Sequence, residues 1–313
     1  MLLQALEDGN LKNMHLAHYT ETVLFQPTIT YPTDDNPRGS MEVTFKPADG
    51  SEPKTITIPL RPDTANLEIM DVNMHQSPCK AYNMGSKINQ WLSSCFGYPV
   101  VMAYLGEHLR PVLMSTSGNG QAKSQQSSPS WLGSITKSLP TSILGYGGQE
   151  NQEKEQVTFA DCASYLVVSE TSMKDVLSRL PEGEEMDIIK FRPNIIVAGA
   201  EKEWEEDYWA ELDVGGNIIP LSHNCVRCVS INIDYTTGKP GKTESGTILK
   251  KMMKDRRVDQ GMKYSPVFGR YGFLAQGEQG GTVKVGDEVN VTRKNEERTT
   301  FDWPGLSSAS LVK

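Results

Sequence analysis

Short segments rich in β-branched and aromatic residues recur along the chain, each bounded by Pro, Gly, Asn or Asp, and they restrict the possible fold more than any other feature. In chain order the main segments are 21–31, 39–47, 53–62, 100–106, 163–170, 194–200, 209–221, 229–235 and 281–293. Such side chains suit a pleated surface, and the bounding residues favour turns, including one at Gly215-Gly216 and a bend at Gly286-Asp287. Many short strands at this spacing predict a mainly β fold built from barrels.

Two helices are predicted among these strands. Residues 85–97 place apolar side chains at helical spacing, and Gly97 ends the pattern. Residues 171–180 form a shorter amphipathic pattern. The hydroxyl of Thr171 or Ser172 can accept from the free backbone N–H groups of its first turn, so one of them is the expected cap.

A change in composition divides the chain. Residues 115–156 are dominated by Ser, Gly, Gln and Lys, which is typical of a flexible connection. The prediction is an N-terminal β-barrel-like domain at 1–112, a linker or insertion at 113–156, a second β-barrel domain at 157–305 and a tail at 306–313. Two domains also agree with a length of 313 residues.

Charge and cysteine content exclude several classes of protein. The net charge of -8 argues against a nucleic-acid partner, because phosphate binding needs clustered Lys and Arg. Five cysteines are few and odd in number, so the expected location is a reducing, intracellular compartment. No apolar run is long enough to span a membrane, and the N-terminus lacks the apolar core of a signal peptide.

The motif Cys225-Val226-Arg227-Cys228 is the clearest candidate for chemistry. A CxxC pair is compatible with half of a zinc site, with a redox dithiol or with two ordinary apolar cysteines. No second CxxC completes a zinc site, and Cys162 and His223 are the only nearby residues of a suitable type. A redox dithiol usually opens a helix, whereas the segments that flank this motif are predicted strands. A further interpretation is a single thiolate at Cys228 that binds a transition metal, since the charge of Arg227 favours the ionised sulfur.

Arginine side chains add a means of binding phosphate. A guanidinium such as that of Arg227 can hold a phosphate bidentately, which would suit a metal carried by a phosphorylated organic cofactor. Arg192 stands directly before Pro193, which disfavours helix and predicts extended backbone there, and Asn194 adds a donor and an acceptor. Taken alone, the segment around Arg192 is better explained as a strand that begins with a solvated Arg.

Together these segments resemble one family. FRPNIIVAGAEKEWEEDYWAELDVGG (191–216), CVRCVSINIDYTTG (225–238), KYSPVFGRYGFL (263–274) and GTVKVGDEV (281–289) look like the MOSC domain in order and spacing. Within it they are most similar to the mitochondrial amidoxime-reducing component family with its bacterial and fungal relatives. FADCASYLVVSETSMKDVLSRL (159–180) fits the start of that domain, and the helix around Trp91 fits the end of the β-rich MOSC N-terminal domain that precedes it.

The resemblance implies a molybdenum cofactor, Mo-molybdopterin, with Cys228 as the metal ligand. It places Arg227 in the cofactor pocket and Arg192 against the molybdopterin, with Asn194 alongside.

The resemblance also implies that Asp161 and Cys162 border the site. Asp161 and Asp234 are candidate proton donors, although Asp234 also fits a turn at the end of a strand. Asp161 is therefore the second expected catalytic residue beside Cys228.

The implied activity is reduction of N-hydroxylated compounds by oxygen-atom transfer to molybdenum. A cytochrome b5-type protein and its NADH-dependent reductase would supply the electrons, in a cytoplasmic or mitochondrial-associated location. The Lys-Ser pair and the later Arg that open the family's sequences are not found here, so we expect an N-terminally shortened chain without its first strands and anchor. A non-catalytic molybdopterin or sulfur carrier, an inactive shortened form and a zinc-stabilised binding module are the alternatives.

Overall fold

The computed structural model describes residues 1–115, 155–275 and 281–308. Strands dominate, and the sheets curl into half-barrels, so the mainly β fold predicted from the sequence is confirmed. Most of the predicted linker, residues 116–154, lies outside the described residues, as do 276–280 and 309–313. Within the described ranges no helix is both long and apolar enough to cross a membrane.

The N-terminal part contains two antiparallel sheets and one helix. In chain order its elements are β1 (Leu2–Ala5), β2 (Leu11–Asn13), β3 (Phe25–Thr30), β4 (Ser40–Phe45), β5 (Lys54–Pro59), β6 (Ile69–Met74), β7 (Ser77–Asn83), α1 (Ser86–Phe96) and β8 (Val100–Tyr104). One sheet has the order β2-β1-β8-β7-β6, and the other has the order β3-β4-β5. Helix α1 buries Ile88 and Leu92 and ends at Gly97, whose φ of 81° any other residue would adopt only with strain.

The C-terminal part is built around a six-stranded sheet. Its elements are β9 (Arg110–Pro111), β10 (Gln156–Val157), β11 (Tyr165–Ser169), α2 (Glu170–Ser178), β12 (Ile195–Val197), β13 (Trp209–Val214), β14 (Asn217–Val226), β15 (Ile233–Asp234), β16 (Lys239–Pro240), α3 (Ile248–Met252), β17 (Val267–Gly272) and β18 (Val289–Lys294). The sheet has the order β12-β11-β17-β14-β13-β18. All its neighbours are antiparallel except β11 and β12.

Several local predictions differ from the structure. Helix α2 is capped by Ser169, whose hydroxyl accepts from the backbone N–H of Thr171, so the cap expected at Thr171 or Ser172 is wrong. Segment 229–235, predicted as one strand, forms a 3-10 turn at Val229–Asn232 followed by the short strand β15. Ile231 in the turn and Ile233 in the strand are both buried, as they would be on one face of a single strand. Residues 281–288 form no strand, so only the second half of 281–293 is correctly predicted.

The predicted buried strand at 194–200 is also shorter and more exposed than expected. Strand β12 covers Ile195–Val197 and lies at the edge of its sheet, where only Val197 is buried. An edge strand has a neighbour on one side alone, which explains why its apolar side chains are partly solvated.

Candidate functional site

A cavity of about 250 Å³ opens where β14 ends, beside the loop before β11 and the 3-10 turn at Ile188–Phe191. Five of the six side chains predicted for the site line it, namely Asp161, Arg192, Asn194, Arg227 and Cys228. These residues come from separate parts of the sequence and meet because β11, β14 and β17 are neighbours in the sheet.

Cys228 offers the accessible sulfur of this cavity. All five cysteines are in the described ranges and all are free, but only Cys228 is exposed. It follows the last residue of β14 by two positions, where the chain leaves the sheet for a 3-10 turn. Its Sγ lies 3.1 Å from the hydroxyl oxygen of Ser230.

The other cysteine of the motif has a different environment. Cys225 is buried, and burial raises the pKa of its thiol even though the charge of Arg227 opposes the shift. A buried neutral thiol is a poor nucleophile and a poor metal ligand. The geometry therefore favours Cys228 as a lone ligand over a working Cys225–Cys228 dithiol.

Arg227 is held by backbone carbonyl groups. Its Nε and Nη2 donate to the carbonyl oxygen of Phe268 at 2.9 and 2.6 Å, and its Nη1 donates to that of Phe191 at 2.8 Å. The guanidinium also lies over both phenyl rings, 5.2 and 5.7 Å from their centroids. Arg227 thus links β17 to the 3-10 turn before Arg192. The sequence had suggested instead that this guanidinium binds a phosphate.

Arg192 is the more available cation. Its side chain is 56% exposed, and its Nη2 donates to Asp161 Oδ2 at 2.6 Å. The backbone at Arg192 has φ 54° and ψ 46°, so the extended conformation predicted from Pro193 is wrong. The backbone N–H of Arg192 donates to Ile189 at 2.8 Å, and this hydrogen bond closes the 3-10 turn in the left-handed conformation.

Asp161 is ionised at neutral pH. Burial raises the pKa of Asp161, but the neighbouring imidazole of His75 and the charges of Arg192 and His15 lower it more, to about 2. An acid with this pKa holds almost no proton at pH 7. Asp161 can therefore take up a proton briefly and pass it on, but it does not hold one in the resting state.

The last two predicted residues are placed differently from each other. Asn194 lines the cavity, and its amide oxygen accepts from the backbone N–H of Leu166 at 2.8 Å, which leaves the amide NH₂ group for a ligand. Cys162 lies in the apolar core and does not line the cavity, and burial raises the pKa of its thiol. Asp234 also lies away from the cavity, where its carboxylate accepts from Thr236 N–H in a turn.

Several residues at or behind the cavity were missed from the sequence. Lys190, Ser230 and Tyr271 line it. Arg110 is fully buried behind it and donates to the backbone carbonyls of Met74, Thr158, Ala160 and Asp161. A buried Arg before a Pro carries no local pattern that separates it from a surface Arg, so only the fold reveals it.

The donor set limits what could bind. Among the residues that the structure describes, no group of three or more His, Cys, Asp or Glu side chains is arranged to hold a metal ion. A metal at Cys228 would therefore need its other ligands from a bound molecule rather than from the protein. Arg192 and Lys190 could hold the negative charge of such a molecule.

Comparison with known proteins agrees with this architecture. The sequence pattern of the MOSC domain family matches residues 154–290, which include all the predicted site residues. This part of the chain is a MOSC domain.

The predicted resemblance to amidoxime-reducing components is confirmed as well. The chain is 30% identical to mitochondrial amidoxime reducing component 2 of Rattus norvegicus over 243 residues, 77% of this chain and 61% of that protein. It is 30% identical to mitochondrial amidoxime-reducing component 1 of Homo sapiens over 174 residues, 51% of this chain and 49% of that protein. It is 34% identical to component 1 of Mus musculus over 137 residues, 44% and 38% of the two chains. The chain thus spans less than two thirds of each relative.

Proposed function

We propose that this protein is an oxidoreductase that reduces N-hydroxylated compounds in the cavity at Cys228, with a molybdenum cofactor bound there. The observation that carries the proposal is the single exposed cysteine, Cys228, at a cavity that also contains the half-exposed Arg192. The printed names of the relatives, amidoxime-reducing components, support the substrate class.

The side chains of the cavity fit such a cofactor. Cys228 offers one soft thiolate, and soft sulfur is a suitable ligand for a transition metal. Arg192 and Lys190 offer positive charge for a phosphate, and the amide NH₂ of Asn194 offers a donor for the organic part. When bound, the cofactor supplies the two-electron, oxygen-atom-transfer chemistry that protein side chains lack.

The protein's own side chains would then orient the substrate and supply protons to it. Reduction of R–NH–OH to R–NH₂ and water consumes two electrons and two protons. Asp161, ionised and hydrogen-bonded to Arg192, would accept a proton and deliver it to the departing oxygen. Arg227 would keep the 3-10 turn, and with it Arg192, in place through Phe191.

The proposal extends to partners and location. A cytochrome b5-type protein with its NADH-dependent reductase would supply the electrons, and small N-hydroxylated molecules would be the substrates. An association with mitochondria is supported by the names of the relatives.

Metal analysis and turnover test the proposal together. Purified protein is expected to contain stoichiometric molybdenum, and Cys228→Ala is expected to lose it, while Cys95→Ala, at a half-buried cysteine on α1, keeps it. The wild-type protein is expected to reduce benzamidoxime with an artificial electron donor. Zinc in place of molybdenum would contradict the proposal. Molybdenum without turnover would favour a carrier of molybdopterin or sulfur instead.

A further inference from the structure

The turn that joins β6 to β7 has an unusual backbone. Met74 pairs with Ser77, so His75 and Gln76 form a two-residue hairpin turn, and both have positive φ, 54° and 63°. Such turns are usually made by Asn-Gly or Gly-Gly, because other residues are strained there. Strained residues persist where surrounding contacts hold them, and they are frequent at functional sites.

Contacts from distant parts of the chain hold this turn. The indole Nε1 of Trp303 donates to the carbonyl oxygen of His75 at 2.7 Å. Arg110 Nη1 donates to the carbonyl oxygen of Met74 at 3.1 Å, and Ser77 Oγ donates to that of Pro111 at 2.7 Å. The backbone of the turn that carries His75 is thereby held by three anchors from outside the turn.

These anchors place His75 against Asp161. Its Nε2 lies 3.7 Å from Asp161 Oδ1, and its side chain is 18% exposed. The other carboxylate oxygen of Asp161 accepts from Arg192. Asp161 therefore has a permanent cation on one side and a titratable group on the other.

A second imidazole lies behind the first. The rings of His15 and His75 are stacked, with centroids 5.0 Å apart and an angle of 20° between their planes. Burial and the charge of His75 lower the pKa of His15, while Asp161 raises it. The two imidazoles and Asp161 thus lie in a row that ends at the cavity wall. His15 acts on His75 through charge, because stacked rings do not aim an N–H of one at a nitrogen of the other.

We infer that His75 and Asp161 are a proton relay into the cavity, with His75 as the residue that positions and reprotonates the carboxylate and the stacked His15 acting on His75 through charge. This inference rests on the proposed function, since that reaction consumes protons. Each turnover needs two protons, so the step runs twice: the His75 imidazolium gives a proton to Asp161, Asp161 gives it to the oxygen that leaves as water, and His75 takes its replacement from solvent. The two electrons come one at a time from the external one-electron donor.

The surrounding charges hold the pKa of Asp161 at about 2, so a proton placed on Asp161 is passed on to the departing oxygen rather than kept. The charged or titratable groups that face the row are Arg192, Arg110, His18, Cys162, Cys225 and Tyr271. Burial raises the pKa of Cys162, Cys225 and Tyr271, so these three stay neutral. The two arginines stay charged, and neither they nor the three neutral groups can supply a proton near pH 7, which leaves the imidazoles of the row and the neighbouring His18 as the candidate sources.

The decisive variant is His75→Asn. Asn is favoured at positive φ, so this change removes the imidazole while the turn and the melting temperature are retained. Turnover of benzamidoxime is expected to fall about 100-fold in kcat with unchanged KM and molybdenum content. Gln76→Gly, which relieves strain in the same turn, is the matched control and should keep wild-type kcat.

A readout without turnover tests the row itself. The five histidines can be followed by NMR during a pH titration of the whole chain. The titration midpoint of His15 should rise in His75→Asn, because repulsion is removed, and should fall in Asp161→Asn. Unchanged His15 midpoints, or full activity in His75→Asn, would overturn the relay. A wild-type chain without molybdenum or turnover would overturn the proposed function, and the relay with it, even if the His15 midpoints move.

Discussion

The guanidinium of Arg192 donates to the carboxylate of Asp161 at 2.6 Å, and this contact joins two loops whose residues are 31 positions apart. Both side chains are about half exposed, at 56% and 41%. Exposed ion pairs contribute little to folding, so the contact matters for the charge and shape of the cavity rather than for stability.

Arg192→Gln should therefore separate binding from folding. We expect the molybdenum content to fall strongly, whereas the free energy of unfolding changes by less than about 1 kcal/mol. The pKa of Asp161 should rise from about 2, because one of the charges that lower it is lost. Arg293→Gln breaks a comparably exposed contact with Glu211 and should change none of the three. Equal molybdenum contents in the two variants would contradict the assignment of Arg192.

Arg110 supports the site from behind, and its replacement should act through folding. Arg110→Met leaves four buried or half-buried carbonyl groups without a donor, at Met74, Thr158, Ala160 and Asp161. Urea unfolding should show a loss of about 3 kcal/mol or more. Arg61→Met, at an exposed arginine, is the control and should cost less than about 0.5 kcal/mol. A small loss at Arg110 would mean that water replaces its hydrogen bonds.

Local patterns predicted the regular elements well. Helix α1 follows from apolar spacing that ends at Gly97, and the β13–β14 hairpin follows from alternation around Gly215-Gly216. The pattern at 229–235 was misread because a 3-10 turn and a strand can bury the same alternate side chains. The β6–β7 hairpin escaped prediction because His75-Gln76 lacks the usual turn residues.

The site was predictable only in part. CxxC spacing alone left zinc, redox and structural interpretations open, and the family resemblance singled out Cys228. The contacts of Asp161 with His75, Arg110 and Arg192 depend on how distant strands pack, and no local pattern encodes them.

His223 predicts a specific acid sensitivity. It is buried beside Asp302, with Nε2 3.3 Å from the carboxylate, and burial lowers the pKa of His223 to about 4 despite the opposing charge of Asp302. Because the unfolded chain takes up this proton near pH 6.5 and the folded chain does not, stability is lost as the pH falls from about 6.5 to 4, by up to about 3 kcal/mol.

His223→Gln keeps a donor near Asp302 and should remove this loss of unfolding free energy between pH 6.5 and 4. The measurement is urea unfolding at several pH values between 4 and 8 for both proteins. His18→Gln, at an exposed histidine, should leave the slope unchanged. Parallel curves for His223→Gln and the wild type would show that the pKa of this imidazole is the same in the folded and the unfolded chain.

Glu206 should make the stability of the fold depend on pH in the opposite direction. Its side chain is fully buried, its Oε2 accepts from Ser172 Oγ at 2.7 Å, and its Oε1 has no hydrogen-bond partner among the described residues. Burial raises the pKa of Glu206 to about 7. The folded chain therefore keeps a proton that the unfolded chain loses above about pH 4.5, so this group destabilises the fold increasingly as the pH rises from 4.5 to 7.

Glu206→Gln should remove this cost and keep the hydrogen bond to Ser172. We expect the variant to be more stable than the wild type by up to about 3 kcal/mol at pH 8, and to have no such advantage at pH 4.5. Urea unfolding at the two pH values measures the difference. Glu205→Gln is the neighbouring control, since Lys294 lowers the pKa of Glu205 and its loss should not stabilise the protein at pH 8. An equal effect of Glu206→Gln at both pH values would mean that folding does not raise the pKa of Glu206, as expected if water reaches Oε1.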